Sequence, residues 1–160
     1  MSFIMKLLPW KRNLFVTIGI LALLIVFSFY GLYTDQFYFF KFDNYIFPFL
    51  TVVHFAFLYV LWFKIKEGEI ADPQMRNLEY ALYVILFVYV FKVFDSIYVL
   101  TTYSDFESYD IPSSFIPLGV LILVLYILLV GLTLLAFKYR KVLVGGYNFD
   151  DMNQQIDSWE

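Results

Sequence analysis

Four long runs of apolar residues alternate with short polar segments along the chain. Each run approaches or exceeds the roughly 20 helical residues that cross about 30 Å of hydrocarbon. None of them alternates polar and apolar positions with a period of two, so the pattern favours helices over barrel strands. The predicted membrane spans are about 13–33, 46–63, 80–100 and 115–137.

The connections between these runs are short, which predicts one antiparallel four-helix transmembrane domain over residues 13–137. Residues 1–12 mix apolar and basic side chains, and we expect this cytoplasmic segment to lie at the membrane interface. Asp72 followed by Pro73 is a typical helix start, so the third helix should begin there and enter the membrane near Tyr80. Residues 138–160 form a cytoplasmic tail.

The basic residues predict how the chain is oriented. Cytoplasmic loops of membrane proteins are enriched in Lys and Arg. Only Lys41 lies in a loop on the opposite side, and Lys92 lies inside the third run. We therefore expect both termini in the cytoplasm and the protein in a plasma or inner membrane. The basic residues on the predicted cytoplasmic side are Lys6, Lys11, Arg12, Lys64, Lys66, Arg76, Lys138, Arg140 and Lys141.

The composition excludes several function classes. Of the 160 residues, 62% are hydrophobic and only 16% are charged, which a soluble domain of this size could not accommodate. The chain has no cysteine and one histidine, so thiolate chemistry and multi-histidine metal sites are excluded within one chain. Its net charge of −3 gives no indication of nucleic-acid binding. We therefore predict an all-α integral membrane bundle that is not an enzyme and carries no cofactor or metal.

Three ionisable side chains lie well inside the predicted spans. His54, Lys92 and Asp95 should sit at similar depths, because each is roughly 8 to 12 Å from the same membrane surface at 1.5 Å per helical residue. Lys92 and Asp95 are three residues apart on one helix face, so they can pair directly. Ser96 and Tyr89 complete this predicted intramembrane polar cluster.

This cluster has three interpretations. It could be a buried polar clasp that fixes the register of the helices. It could be a proton- or ion-responsive site, because histidine titrates near neutral pH and a low dielectric shifts its partners. His54 could also contact a ligand or a cofactor such as haem, although no other feature of the sequence indicates one.

The tail carries an apolar stripe. Phe149, Met152, Ile156 and Trp159 are spaced by three, four and three residues, which predicts a short cytoplasmic amphipathic helix. Its charged residues are all acidic, so anionic cytoplasmic lipid should repel it. We therefore expect this stripe to dock on a protein partner.

These features favour a non-catalytic small multi-pass subunit of a larger membrane complex. Such a protein would contact the lipid bilayer and other membrane subunits, but not nucleic acid. The alternative is a small homo-oligomeric channel or an ion- or proton-coupled transporter that uses His54, Lys92 and Asp95. A third hypothesis is a membrane enzyme or cofactor carrier that uses His54.

Overall fold

Helices dominate the computed structural model, which describes residues 2–102 and 111–147. The described part contains four helices that are long and apolar enough to cross a membrane. In residues 2–102 and 111–147 the α-helices are α1 (Ser2–Leu7), α2 (Trp10–Ser28), α3 (Ile46–Glu67), α4 (Pro73–Thr102) and α5 (Phe115–Tyr139).

The four long helices form a closed ring of neighbours. Each packs against the next one in the chain, and α5 closes the ring by packing against α2. Because successive helices run in opposite directions, the bundle has two distinct ends. We call the end that holds residues 29–45 the ribbon end, and the end that holds the start of α2 and the last turn of α5 the termini end.

The link between α3 and α4 is short and well defined. Gly68 ends α3 with a φ of 66°, a left-handed conformation that glycine adopts without steric cost. Asp72 then accepts a hydrogen bond from the backbone N–H of Met75 at 2.8 Å, and Pro73 is the first helical residue. The predicted start of this helix is therefore confirmed.

The first apolar run is not helical throughout. It was expected to be a span as far as Tyr33, but α2 ends at Ser28. Tyr30 and Gly31 form strand β1, which pairs antiparallel with strand β2 (Gln36–Phe37), with Tyr30 opposite Phe37. Asp35 adopts a φ of 51° in the turn between them. A 3-10 helix (Phe42–Tyr45) then leads into α3.

The core is filled by large apolar side chains from the four long helices. Phe57 and Phe137 meet edge to face with their ring centroids 5.7 Å apart. The buried hydroxyl groups of Thr17 and Thr133 donate hydrogen bonds to the carbonyl oxygens four residues earlier, each at 2.6 Å. These contacts satisfy polar atoms inside a helix, so the residues can lie in an otherwise apolar core.

Helices α4 and α5 come close together near the ribbon end. A Cβ atom added to Gly119 would lie 2.7 Å from Cδ2 of Leu100. The absence of a side chain at Gly119 therefore lets α5 approach α4 at this level. Beside this contact the bundle opens into a cleft.

Candidate functional site

The predicted polar cluster divides into two parts. Lys92, Asp95 and Ser96 line a cleft at the ribbon end. His54 and Tyr89 are buried in the core and do not line this cleft. The predicted similarity in depth did not bring all five residues into one site.

His54 and Tyr89 form a buried pair between α3 and α4. The Tyr89 hydroxyl lies 2.8 Å from His54 Nδ1, and the two rings stack with centroids 5.7 Å apart. Both side chains are completely buried. His54 Nε2 has no hydrogen-bond partner among the described residues. The pair therefore joins two helices without an exposed atom.

The cleft has a volume of about 390 Å³ and is bounded by all four long helices and the 3-10 helix. Its lining combines apolar and polar side chains. Lys92 is half-buried, whereas Asp95 is exposed. Besides the predicted residues, the polar side chains that line it are Ser28, Tyr30, Asp43, Asn44 and Tyr126.

The direct pairing that their spacing allows between Lys92 and Asp95 does not occur in the structure. Among the described residues, no carboxylate oxygen lies within 4.0 Å of Lys92 Nζ. The two residues line the same cleft, but Asp95 is exposed whereas Lys92 is half-buried. A spacing of three residues allows a direct contact but does not require it, because each side chain can reach the open space instead. The interpretation of the cluster as a buried polar clasp therefore lacks the contact between Lys92 and Asp95.

A layer of rings separates the cleft from His54. Phe47 contacts Tyr126 edge to face at 5.8 Å between centroids and lies 6.1 Å from the Tyr89 ring. All three rings are buried or nearly so. Phe47 and Tyr126 form the floor of the cleft, and Tyr89 continues from this layer to His54. These three rings therefore connect the lining of the cleft to the buried His54.

A buried charge cluster at the termini end was not predicted. Arg140 Nε lies 3.1 Å from both carboxylate oxygens of Glu79 and donates a hydrogen bond to Oε1. Arg140 also donates to the Gly145 carbonyl at 3.1 Å, and its guanidinium lies 4.1 Å from the centroid of the Tyr147 ring. Burial, together with a hydrogen bond to Glu79, raises the pKa of Tyr147. The predicted topology places the start of α4 beside the end of α5. This proximity was the feature of the sequence from which the contact between Glu79 and Arg140 could have been predicted.

A second ion-pair group stabilises the α3–α4 link. Lys64 Nζ lies 2.9 Å from Asp72 and 3.1 Å from Glu69. The hydrogen bond from Lys64 lowers the pKa of Asp72 below its usual value. Lys64 and Arg140 entered the sequence analysis only as indicators of membrane orientation. In the structure, both also form ion pairs with acidic side chains.

Two further expectations concern metal ions and the C-terminal tail. No group of three His, Cys, Asp or Glu side chains that could hold a metal ion occurs in residues 2–102 and 111–147. The predicted docking stripe of Phe149, Met152, Ile156 and Trp159 lies outside the part of the chain that the structure describes.

Comparisons with known proteins add no assignment. No family model, curated protein or solved structure matches this chain. The function must therefore be inferred from the geometry of the cleft and the surfaces of the bundle.

Proposed function

We propose that this chain is a small multi-pass membrane protein whose ribbon-end cleft binds a small zwitterionic solute, as the substrate site of a transporter. The distribution of basic residues supports an orientation with both termini in the cytoplasm, so the cleft would open to the opposite side. The observation that carries the proposal is the half-buried residue Lys92, which lines the cleft without a carboxylate partner in the described residues.

The chemistry of the lining favours a zwitterion. A charge in a partly buried site is costly unless it is paired or hydrogen-bonded. Lys92 can pair with a carboxylate or phosphate group of a solute, and Asp95 and Asp43 can receive its ammonium group. Ser96 and Asn44 add uncharged hydrogen-bonding groups. The ring layer of Phe47, Tyr89 and Tyr126 would act as the closed gate below the solute.

The proposal can be tested by transport into liposomes that contain the purified protein. The response recorded would be uptake of radiolabelled glycine or serine into the liposomes, with labelled choline and acetate as singly charged comparisons. We expect a response to the zwitterions that is abolished in Lys92→Met and in Asp95→Asn. Lys141→Met removes an exposed lysine outside the cleft and is the matched control. A response that persists in a variant with both cleft substitutions would exclude this site.

A second candidate is a non-catalytic subunit of a larger membrane complex. It is favoured by an exposed stripe on α4 whose members recur at alternating intervals of four and three residues. A repeat that averages 3.5 residues is the spacing with which one helix packs along another, whereas contact with lipid requires no such repeat. The stripe consists of Tyr80, Val84, Phe87, Phe91, Phe94 and Tyr98.

This candidate is tested by affinity purification in a mild detergent and mass measurement of the intact assembly. Unlike subunits in a fixed ratio would support it, and they should be lost when Phe87 and Phe91 are both replaced by Ala. The matched control replaces Ile127 and Leu128, which are exposed on α5, by Ala. A homo-oligomer with no other protein bound would instead favour the transporter.

A further inference from the structure

A long apolar groove runs along the outside of the bundle between α2 and α3. It has a volume of about 560 Å³ and lies apart from the ribbon-end cleft. Its floor is formed by Leu14 and Leu58, which are buried, while Phe15 and Tyr59 are exposed at its sides. None of the described residues that line it is acidic.

The groove has the length of an acyl chain segment within one leaflet. Lys11 and Trp62 line it at the termini end, and Ile18 and Phe55 line it seven residues further along each helix. At 1.5 Å per residue this distance is about 10 Å. One leaflet contributes about 15 Å of hydrocarbon, so the groove extends through most of its depth.

Positive charge is concentrated at the termini end of this groove. Lys11 lines the groove, and its ammonium group lies 5.7 Å from the centroid of the Trp10 ring. Lys66, one turn beyond Trp62, places its ammonium group 4.7 Å from the Trp62 ring. The two tryptophans therefore hold two ammonium groups at the level where lipid headgroups meet the hydrocarbon.

We propose that this groove binds an anionic phospholipid. One acyl chain lies along Leu14 and Leu58, and the phosphate group contacts Lys11 and Lys66. Basic pockets beside transmembrane helices on the cytoplasmic side recognise anionic headgroups, and an apolar groove alone would not distinguish them from zwitterionic lipids. The assignment is independent of what the ribbon-end cleft binds.

The experiment compares phosphatidylglycerol with phosphatidylcholine by native mass spectrometry of the full-length protein in detergent. We expect one phosphatidylglycerol to bind with higher affinity than phosphatidylcholine. Replacing Lys11 and Lys66 by Gln should weaken phosphatidylglycerol binding about 30-fold and leave phosphatidylcholine binding unchanged, since each basic group near the surface contributes about a factor of five. The control replaces Lys6 and Lys141 by Gln, which removes the same charge elsewhere. Equal affinities for the two lipids, or equal losses in both double variants, would overturn the proposal.

A second variant tests the groove without changing the charge. Ile18→Trp places a large ring at the inner end of the groove, and we expect it to reduce phosphatidylglycerol binding. Val16→Trp is the matched control, because Val16 is equally exposed on α2 but does not line the groove. Unchanged binding in Ile18→Trp would show that the acyl chain does not occupy the groove. A dimer of the chain that dissociates in this variant would assign the groove to a second copy and overturn the lipid assignment.

Discussion

The buried pair of Glu79 and Arg140 permits a quantitative test of how the termini end is stabilised. The Glu79 side chain is completely buried and that of Arg140 is only 10% exposed. Replacing Arg140 by Met removes the guanidinium and leaves the carboxylate without its partner. Loss of one member of a buried ion pair costs about 3–5 kcal/mol. We expect the free energy of unfolding to fall by about this amount, which is a large part of the roughly 5–15 kcal/mol typical of proteins.

The double variant separates this pair from simple loss of packing. With Glu79→Leu and Arg140→Met together, no unpaired charge remains, and apolar replacement of a buried pair is often neutral. The double variant should therefore be at least about 2 kcal/mol more stable than the sum of the two single losses predicts. Arg140 would still have the Gly145 carbonyl and the Tyr147 ring in Glu79→Leu, so that single variant should lose less than Arg140→Met.

The assay is equilibrium unfolding in mixed detergent micelles, followed by tryptophan fluorescence. Lys141→Met is the control, because Lys141 is the exposed neighbour of Arg140 and has the same formal charge. We expect this control to unfold like the unmodified protein. Single losses that add without any coupling in the double variant would refute the reasoning that Glu79 and Arg140 depend on each other.

Three further predictions concern single contacts and can be checked by thermal unfolding. Asp72→Ala removes a helix cap and a Lys64 ion pair and should cost about 0.5–2 kcal/mol. Because the pKa of Asp72 is lowered in the folded protein, its contribution should be complete at neutral pH and be lost as the pH falls through that lowered value; a pH-independent cost would contradict this. Tyr89→Phe leaves buried His54 Nδ1 without its partner and should cost about 1–3 kcal/mol; an unchanged melting temperature would exclude that bond. Gly68→Ala should cost about 1–2 kcal/mol, because alanine is strained at a φ of 66°, and equal stability would show that the turn rearranges.

The hydrophobic pattern predicted the long helices well because each needs a continuous apolar surface. The start of α3 at Ile46 and of α4 at Pro73 followed from the apolar run and from the Asp-Pro cap. The end of α2 could not be predicted in the same way. The segment from Phe29 to Tyr33 is apolar in either conformation, and its strand pairing depends on a contact with Tyr38, whose N–H donates to the Phe29 carbonyl at 2.7 Å.

The candidate site was predicted only in part, because helical spacing identifies a face but not what covers that face. Lys92 and Asp95 share a face as expected, yet the nearby open cleft allows their side chains to remain separate. Glu79 and Arg140 are 61 residues apart, and each lies near a helix end where charges are usually solvated. The burial of Glu79 and Arg140 depends on how α4 packs against α5, so it could be seen only in the structure.

The two ends of the bundle should therefore respond differently to substitution. At the termini end, Glu79 forms an ion pair with Arg140, and Lys64 forms one with Asp72. These charged groups contact each other, so they are not free to bind a solute. At the ribbon end, Lys92 lines the cleft without such a partner in the described residues, so its removal breaks no ion pair there. If the cleft transports a solute as proposed, Lys92→Met should abolish uptake and leave unfolding unchanged, whereas Arg140→Met should lower uptake only in proportion to the folded protein that remains. Parallel measurements of transport and unfolding on both variants decide this, and a Lys92→Met protein as unstable as Arg140→Met would show that Lys92 stabilises the fold.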